Sequence, residues 1–172
     1  MSYLLKDYSE ELFDDIIYLS EIAEKEKKNF YRDNYTVSKI LHCISNRFRE
    51  GNGIFSILYD DDKTIGYTGA YKHENDSNIL ICLVRAFILK QYRAKNIFGN
   101  FVLPYQIKYA KENNYKYCWL TYNYHNKYIY DNAKQASAGI GRTIPNIYKQ
   151  AKYYEEPLLV QNTQQYVIEI KV

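Results

Sequence analysis

A long apolar run that leads into a basic turn most constrains the fold of this chain. The run, Ile79–Leu89, is rich in β-branched residues and contains a single charge, Arg85. We predict a central strand buried on both faces here, and Arg85 then needs a partner or a water-filled cleft. A basic turn and an amphipathic helix pattern follow. Backbone N–H groups and the positive end of a helix dipole converge at such a junction, which predicts a phosphate site.

The helix and strand after this turn complete a strand–helix–strand unit. Apolar side chains recur at helical spacing over Ile97–Asn113, with Pro104 inside the pattern, so we expect a kink or a restart at the proline. Tyr117–Tyr122 reads as the next strand. A right-handed crossover would place it parallel to Ile79–Leu89.

The remaining elements are predicted from periodicity and from capping residues. Two helices come first. One is capped by Ser9 and closed by Lys25, Lys27 and Lys28, the other starts at Thr36 and is ended by Gly51–Gly53, and a polar, aromatic loop over Asn29–Tyr35 lies between them. They are followed by a hairpin of Ile54–Tyr59 and Thr64–Tyr71, a turn over His73–Asn78, a helix over Asn126–Ala136, one unplaced strand within Arg142–Val160, and a strand over Gln164–Lys171. With no repeat or linker, residues 1–172 are expected to form one domain.

Composition excludes several classes of protein. No window approaches the roughly 18 apolar residues that span a bilayer, and the N-terminus lacks a signal peptide, so we expect a cytoplasmic protein without a membrane partner. Cys43, Cys82 and Cys118 lack metal-ligand or redox spacing and are expected to be buried and reduced. The three histidines form no ligand pair, and we predict no metal site.

A nucleic-acid partner is not favoured. The formal net charge of +3 is too small to indicate one by itself, although the 21 tyrosines could stack on bases. Tyrosine, lysine, asparagine and isoleucine all have AT-rich codons, so genome composition explains their abundance more simply. A single-strand binder remains an alternative that predicts a contiguous basic face with exposed rings and a steep salt dependence.

The segment Leu89–Phe98 resembles the acyl-CoA-binding turn of the GCN5-related N-acetyltransferase (GNAT) family. That pattern is Arg or Gln, two residues, Gly, one residue, then Gly or Ala. Arg93 matches its first position, whereas Asn96 and Phe98 occupy the two small positions. The element order is also similar to the GNAT fold. The resemblance implies an α/β (α+β) domain with a mixed, mostly antiparallel central sheet, helices on both faces, and a parallel strand pair splayed at the cofactor cleft.

A second similarity follows the predicted parallel strand. GNAT proteins often have an asparagine there and a tyrosine on the next helix, and Asn123 and Tyr130 have the usual spacing of seven. Asn126 is an alternative for the asparagine. The resemblance implies that these asparagines contact the cofactor and that Tyr130 donates a proton to the leaving thiolate. His125 is the candidate general base because its ordinary pKa suits that role.

The resemblance further implies an acetyl-CoA site along the first strand and turn. The pantetheine arm would pair with the strand edge at Phe87, Ile88 and Leu89, and an N–H of Ile88 or Leu89 would stabilise the oxyanion. The pyrophosphate would rest on backbone N–H groups of the turn. The turn residues concerned are Arg93, Ala94, Lys95, Asn96, Ile97 and Phe98.

The implied reaction is direct transfer of acetyl from acetyl-CoA to an amine in a ternary complex. The acceptor, a small molecule or a peptide, is expected to contact the Asn29–Tyr35 loop and the turns at Tyr59–Thr64 or His73–Asn78. The strand over Gln164–Lys171 could exchange between subunits, which leaves a homodimer open.

The two substituted positions of the motif leave a second function open. Asparagine enters the left-handed region with less penalty than other residues, so Asn96 can replace glycine. Phe98 is compatible with the site only if its ring turns into the core, as its place on the apolar face favours. A ring in the groove would instead indicate a catalytically inactive binding or interaction module.

Overall fold

The structure, a computed structural model, describes residues 2–26, 36–48, 51–123 and 151–172. Within these ranges the strands are β1 (Tyr3–Asp7), β2 (Gly53–Asp60), β3 (Lys63–Lys72), β4 (Ile79–Ile88), β5 (Tyr117–Asn123), β6 (Ala151–Tyr153), β7 (Leu158–Val160) and β8 (Thr163–Lys171). The α-helices are α1 (Phe13–Lys25), α2 (Val37–Asn46) and α3 (Leu103–Glu112). Short 3₁₀ turns cover Glu10–Leu12 and Lys90–Lys95, and a π-helical turn covers Phe98–Val102.

The strands form one mixed sheet in the order β1-β2-β3-β4-β5-β8-β6, with β7 also paired to β8. Strands β4 and β5 are parallel, and the described pairs of β1 with β2, β2 with β3, and β8 with β5, β6 and β7 are antiparallel. A mostly antiparallel sheet with one parallel pair confirms the predicted fold class. The chain divides into two compact units, Met1–Tyr71 with Leu83–Ile97 and Lys72–Cys82 with Phe98–Val172. The single-domain expectation stays a prediction.

The first unit is built on the hairpin of β2 and β3, as predicted. The register runs from Gly53 opposite Tyr71 to Asp60 opposite Lys63, and almost every side chain between is buried. Helix α2 begins where predicted, since the Thr36 side chain accepts a hydrogen bond from the Lys39 N–H. Strand β1, which pairs with β2, was not predicted because its five residues do not alternate between apolar and polar.

The second unit carries the helix that follows the basic turn. The predicted helix over Ile97–Asn113 begins instead as the π-helical turn Phe98–Val102 and continues as α3, with Pro104 in its first turn. The expected restart at Pro104 is therefore confirmed. A proline lacks the N–H that an inner turn needs, but it costs little at a helix start.

At the C-terminal side of the chain, β8 was predicted to within a residue. The single strand expected within Arg142–Val160 is wrong, since two short strands, β6 and β7, both pair with β8. The predicted helix over Asn126–Ala136 and the loop over Asn29–Tyr35 lie outside the described residues.

The three cysteines are free and buried, which confirms that prediction. Burial, and then the neighbouring Cys118, raise the pKa of the Cys82 thiol well above its usual range. Cys82 therefore stays protonated at neutral pH and is a poor nucleophile. In the described segments, no helix is long and apolar enough to cross a membrane.

Candidate acyl-CoA site

Strand β4 changes character at its midpoint. Ile79–Cys82 is buried and pairs in parallel with β5, from Ile79 opposite Tyr117 to Cys82 opposite Leu120. The next residue, Leu83, has a φ of 53°, and Arg85 has a φ of 54°. Left-handed backbone at a non-glycine residue costs on the order of 1–3 kcal/mol, and it concentrates at functional sites.

The predicted burial of β4 on both faces is therefore wrong for its middle. Residues 83–86, including Arg85, are partly exposed, whereas Phe87 and Ile88 are buried again. Two left-handed residues at alternate positions reverse the direction in which side chains and peptide groups point, so the regular alternation of a strand is lost there. Arg85 thus reaches solvent in part and does not lie in the core.

At the end of β4, the two N–H groups predicted as oxyanion donors, those of Ile88 and Leu89, differ in their hydrogen bonding. The Leu89 N–H donates to the Ile65 carbonyl oxygen of β3 at 2.9 Å, so this N–H is already used in the sheet. Successive N–H groups of a strand point to opposite edges, and that of Ile88 accordingly faces away from β3. Of the two predicted donors, Ile88 is the one whose direction suits a ligand beside the strand.

The turn after β4 has the conformation that the motif requires. Lys90–Lys95 forms a 3₁₀ turn, and Asn96 follows in the left-handed region with φ 47° and ψ 40°. Asn96 therefore has the left-handed conformation expected of an asparagine in place of glycine, whereas its role at the cofactor site stays a prediction. Lys90, Arg93 and Lys95 supply positive charge, and the turn contains no acidic residue. Such a turn favours anions.

The Arg93 side chain is held in place by contacts with other residues of the protein. Its Nε donates to the Ile88 carbonyl oxygen at 3.0 Å, and its guanidinium forms an ion pair with the Glu26 carboxylate at the end of α1. The guanidinium carbon also lies 5.8 Å from the centroid of the Phe87 ring. These contacts fold the turn back onto the end of β4. Arg93 consequently braces the turn, a role that the sequence motif does not reveal.

A second set of contacts fixes the β2–β3 hairpin beside the turn. The Tyr92 hydroxyl donates to Asp60 Oδ2 at 3.0 Å, and the Lys95 ammonium lies 4.8 Å from the centroid of the Tyr92 ring. Desolvation, and then the bond to Asp60, raise the pKa of Tyr92. On the α1 side, Asp15 accepts hydrogen bonds from the hydroxyls of Tyr59 and Thr64. The hairpin predicted to border the acceptor site is thus held at both sides.

The other predicted site residues are placed as follows. Four of their side chains are buried, those of Phe87, Ile88, Leu89 and Ile97, and that of Phe98 is partly buried. The side chains of Lys95 and Asn96 are exposed. Ala94 lies in the 3₁₀ turn, and Asn123 is the last residue of β5, opposite Gln165. His125, Asn126 and Tyr130 lie outside the described residues. The catalytic and cofactor-binding roles of all the predicted site residues, and the direction of the Phe98 ring, stay predictions.

Sequence reasoning missed Glu26, Asp15 and Asp60. Glu26 lies 67 positions from Arg93, and Asp15 lies 44 positions from Tyr59. No spacing rule connects residues so far apart, and each acid looks like an ordinary charge on a helix or in a turn.

Among the residues that the structure describes, no group of three or more His, Cys, Asp or Glu side chains could hold a metal ion.

The residues present fit a coenzyme A phosphate group on two observations. The left-handed Asn96 gives the turn the backbone shape that a close approach to phosphate needs, and the cations of the turn offer the matching charge. The Ile88 N–H faces the strand edge along which an amide-bearing arm could pair. Arg93 is committed to internal contacts, so lysines and backbone N–H groups would carry phosphate binding.

Comparison with known proteins reveals similarity of fold without significant similarity of sequence. No family model matches the sequence, and no curated protein is significantly similar to it. Solved structures do match over nearly the whole chain. A GNAT-family acetyltransferase from Staphylococcus aureus is 17% identical with a TM-score of 0.64, covering 99% of both chains. The PaiA N-acetyltransferase from Thermoplasma acidophilum, in complex with coenzyme A, is 18% identical with a TM-score of 0.59, covering 100% of both.

A third similar structure contains two ligands. It is the spermidine N-acetyltransferase from Vibrio cholerae in complex with CoA and spermine, which is 10% identical with a TM-score of 0.61 and covers 99% of this chain and 94% of its own. At these identities the likeness concerns architecture. Together with the strand order and the parallel β4–β5 pair, it establishes that this chain has the fold of the GCN5-related N-acetyltransferases.

Proposed function

We propose that this protein is an acyl-CoA-dependent N-acyltransferase that transfers acetyl from acetyl-CoA to an amine. The observation that carries the proposal is the turn after β4, which contains Lys90, Arg93 and Lys95 and ends at Asn96 in the left-handed backbone conformation. A turn of this shape and charge, placed directly after a strand whose end carries an outward N–H, suits a ligand with both a pyrophosphate and an amide-bearing arm. Coenzyme A thioesters have both.

The proposed reaction is direct attack in a ternary complex. The nitrogen of the neutral amine forms a bond to the thioester carbonyl carbon, the carbon–sulfur bond breaks, and the thiolate leaves with a proton. The Ile88 N–H would donate to the carbonyl oxygen as negative charge develops there. Tyr130 would supply the proton to the thiolate, and His125 or water would accept the proton of the amine.

The acceptor is proposed to be a small-molecule or peptide amine that approaches the β2–β3 hairpin. The hairpin presents the exposed carboxylates of Asp61 and Asp62, which suit a cationic acceptor. The spermidine N-acetyltransferase of similar fold supports testing polyamines first among small amines.

Charge placement counts against the nucleic-acid alternative. Within the described ranges, the large exposed rings are those of Phe13 and Tyr18 on α1. The same helix and the turn before it carry exposed acids, which repel phosphate. These acids are Glu10, Glu11, Asp14, Glu21 and Glu24.

Calorimetric titration with acetyl-CoA tests the proposal, with Asn96→Val and Asn96→Gly compared. A β-branched residue is strongly disfavoured at a positive φ, whereas glycine adopts it freely. We expect the wild-type protein and Asn96→Gly to bind acetyl-CoA with micromolar affinity, and Asn96→Val to bind at least about tenfold more weakly. Thiol release on addition of amines then identifies the acceptor. Absence of binding at millimolar acetyl-CoA would contradict the proposal and favour a non-catalytic module.

A further inference from the structure

A row of hydrogen-bonded polar side chains crosses the otherwise apolar sheet of the first unit. Asp7 of β1 lies opposite Ser56 of β2, and Ser56 lies opposite Thr68 of β3, so the three side chains share one face. The Ser56 hydroxyl donates to Asp7 Oδ1 at 2.8 Å, and the Thr68 hydroxyl donates to the Val84 carbonyl oxygen of β4 at 3.1 Å. The row therefore ends on the β4 backbone.

Thr68 is a conspicuous residue at its position. It is 1% exposed, and its neighbours Tyr67 and Ala70 are fully buried, so valine would fill the same space without a polar group. A buried hydroxyl needs a hydrogen-bond partner, and Thr68 obtains one from a main-chain carbonyl. The hydroxyl thus serves the backbone of β4, because packing alone does not require it.

The carbonyl that Thr68 holds lies between the two left-handed residues of β4. Val84 is preceded by Leu83 at φ 53° and followed by Arg85 at φ 54°. Neither residue is glycine or asparagine, so neither prefers this conformation by itself. A contact from outside the strand is needed to keep the Val84 peptide group in this orientation, and the Thr68 hydroxyl is directed at that group.

The irregular backbone at Leu83–Arg85 is called the β4 kink below. We propose that Thr68 is a positioning residue that fixes the β4 kink and thereby aligns the strand edge for the pantetheine arm of the acyl donor. The alignment role rests on the proposed function, whereas the holding of the kink does not. Because Thr68 is buried, its side chain is not presented to a ligand. It acts through the Val84 carbonyl on the backbone that leads to the Ile88 N–H.

The first test concerns the kink alone and needs no ligand. Backbone Cα chemical shifts of Leu83 and Arg85 are compared in the wild-type protein, Thr68→Val, Thr68→Ser and Ser56→Ala. Thr68→Val preserves shape but removes the donor, so both shifts should move from left-handed toward extended values. Thr68→Ser retains the hydroxyl and should keep them. Ser56→Ala removes a buried hydroxyl of the same row that does not contact β4, and it should also keep them. Unchanged shifts in Thr68→Val overturn the inference.

The second test separates alignment of the donor from general damage. Dissociation constants are measured for acetyl-CoA and for adenosine 3′,5′-bisphosphate, which lacks the pantetheine arm. Loss of one aligning hydrogen bond should weaken acetyl-CoA binding by Thr68→Val about fivefold to tenfold, with the bisphosphate unaffected. Thr68→Ser should restore the acetyl-CoA affinity.

If Thr68→Val binds both ligands more weakly by the same factor, or binds both as tightly as the wild-type protein does, the alignment role is overturned. A wild-type protein that binds neither ligand overturns the proposed function, while the chemical shifts still decide whether Thr68 holds the kink. The failure of one proposal is therefore distinguishable from the failure of the other.

Discussion

Both halves of β4 consist mainly of apolar residues, yet their structures differ. Ile79–Cys82 is regular, buried and paired with β5, whereas Leu83–Ile88 contains two left-handed residues and a partly exposed middle. The first half follows from hydrophobic burial alone. The second half has backbone angles that burial does not favour. Two of its carbonyl groups, those of Val84 and Ile88, accept hydrogen bonds from the side chains of Thr68 and Arg93, outside the strand. We therefore expect the first half of β4 to contribute mainly to stability and the second half mainly to the candidate site.

The largest expected effect lies in the first half. Leu80 is fully buried, so Leu80→Ala should lower the free energy of unfolding by about 2–5 kcal/mol because a cavity remains. Urea denaturation measures this loss. Calorimetry on the folded variant should give an unchanged dissociation constant for acetyl-CoA. Leu4→Ala, at a leucine that is 47% exposed, is the control and should change stability by less than about 0.5 kcal/mol. Weaker acetyl-CoA binding by folded Leu80→Ala would remove the distinction between the two halves.

An intermediate effect is expected where β3 packs against the second half. A Cβ on Gly66 would lie 2.5 Å from the Phe87 carbonyl oxygen and 3.2 Å from the Ile88 Cα, so the strand must move. Gly66→Ala should therefore cost about 1–3 kcal/mol of stability through overpacking. Because the displaced segment carries the Ile88 N–H, acetyl-CoA affinity should fall as well, as calorimetry will measure.

Gly69→Ala provides the matched control for Gly66→Ala. Its Cβ would lie 2.3 Å from the Phe48 ring, which also forces a rearrangement, but the three atoms nearest to it all belong to that ring. We expect a comparable loss of stability without a change in acetyl-CoA affinity. If both variants lose affinity equally, the loss reflects a general loosening of the sheet, and the second half of β4 has no special role.

The same contrast explains which parts of the fold could be predicted from the sequence. Helix α2, the β2–β3 hairpin and β8 follow from local signals, because the Thr36 cap, the turn at Asp60–Lys63 and the apolar residues of β8 act over a few residues. The kink in β4 could not be predicted, since Leu83 and Arg85 have ordinary extended preferences. Their conformation accompanies a contact from Thr68, 16 positions from Val84.

The candidate site divides in a similar way. The place of the phosphate turn could be predicted because strand, turn and helix are consecutive in the chain, and the left-handed Asn96 agrees with a known preference of asparagine. The role of Arg93 could not be predicted. A basic residue in such a turn is naturally interpreted as a phosphate ligand, and only the fold brings Glu26 to it.

The smallest expected effect tests that brace directly. Arg93 and Glu26 are 35% and 23% exposed, so solvent screens the pair and its contribution to stability should be less than about 1 kcal/mol. Its effect on binding has a diagnostic sign. If Glu26 orients Arg93 against the Ile88 carbonyl, Glu26→Gln should loosen the turn and weaken acetyl-CoA binding about twofold to threefold. If Arg93 instead contacts the phosphate, freeing its guanidinium would strengthen binding.

Glu24→Gln separates this effect from a change in overall charge. Glu24 is exposed on the same helix, and its substitution alters the net charge of the protein by the same amount. Both variants should gain the same small long-range attraction for an anionic ligand, which salt reduces. Calorimetry at two salt concentrations should therefore show Glu26→Gln binding acetyl-CoA more weakly than Glu24→Gln at both. Tighter binding by Glu26→Gln than by Glu24→Gln would assign Arg93 to the phosphate, and the second half of β4 would then lose one of the two side chains that hold it.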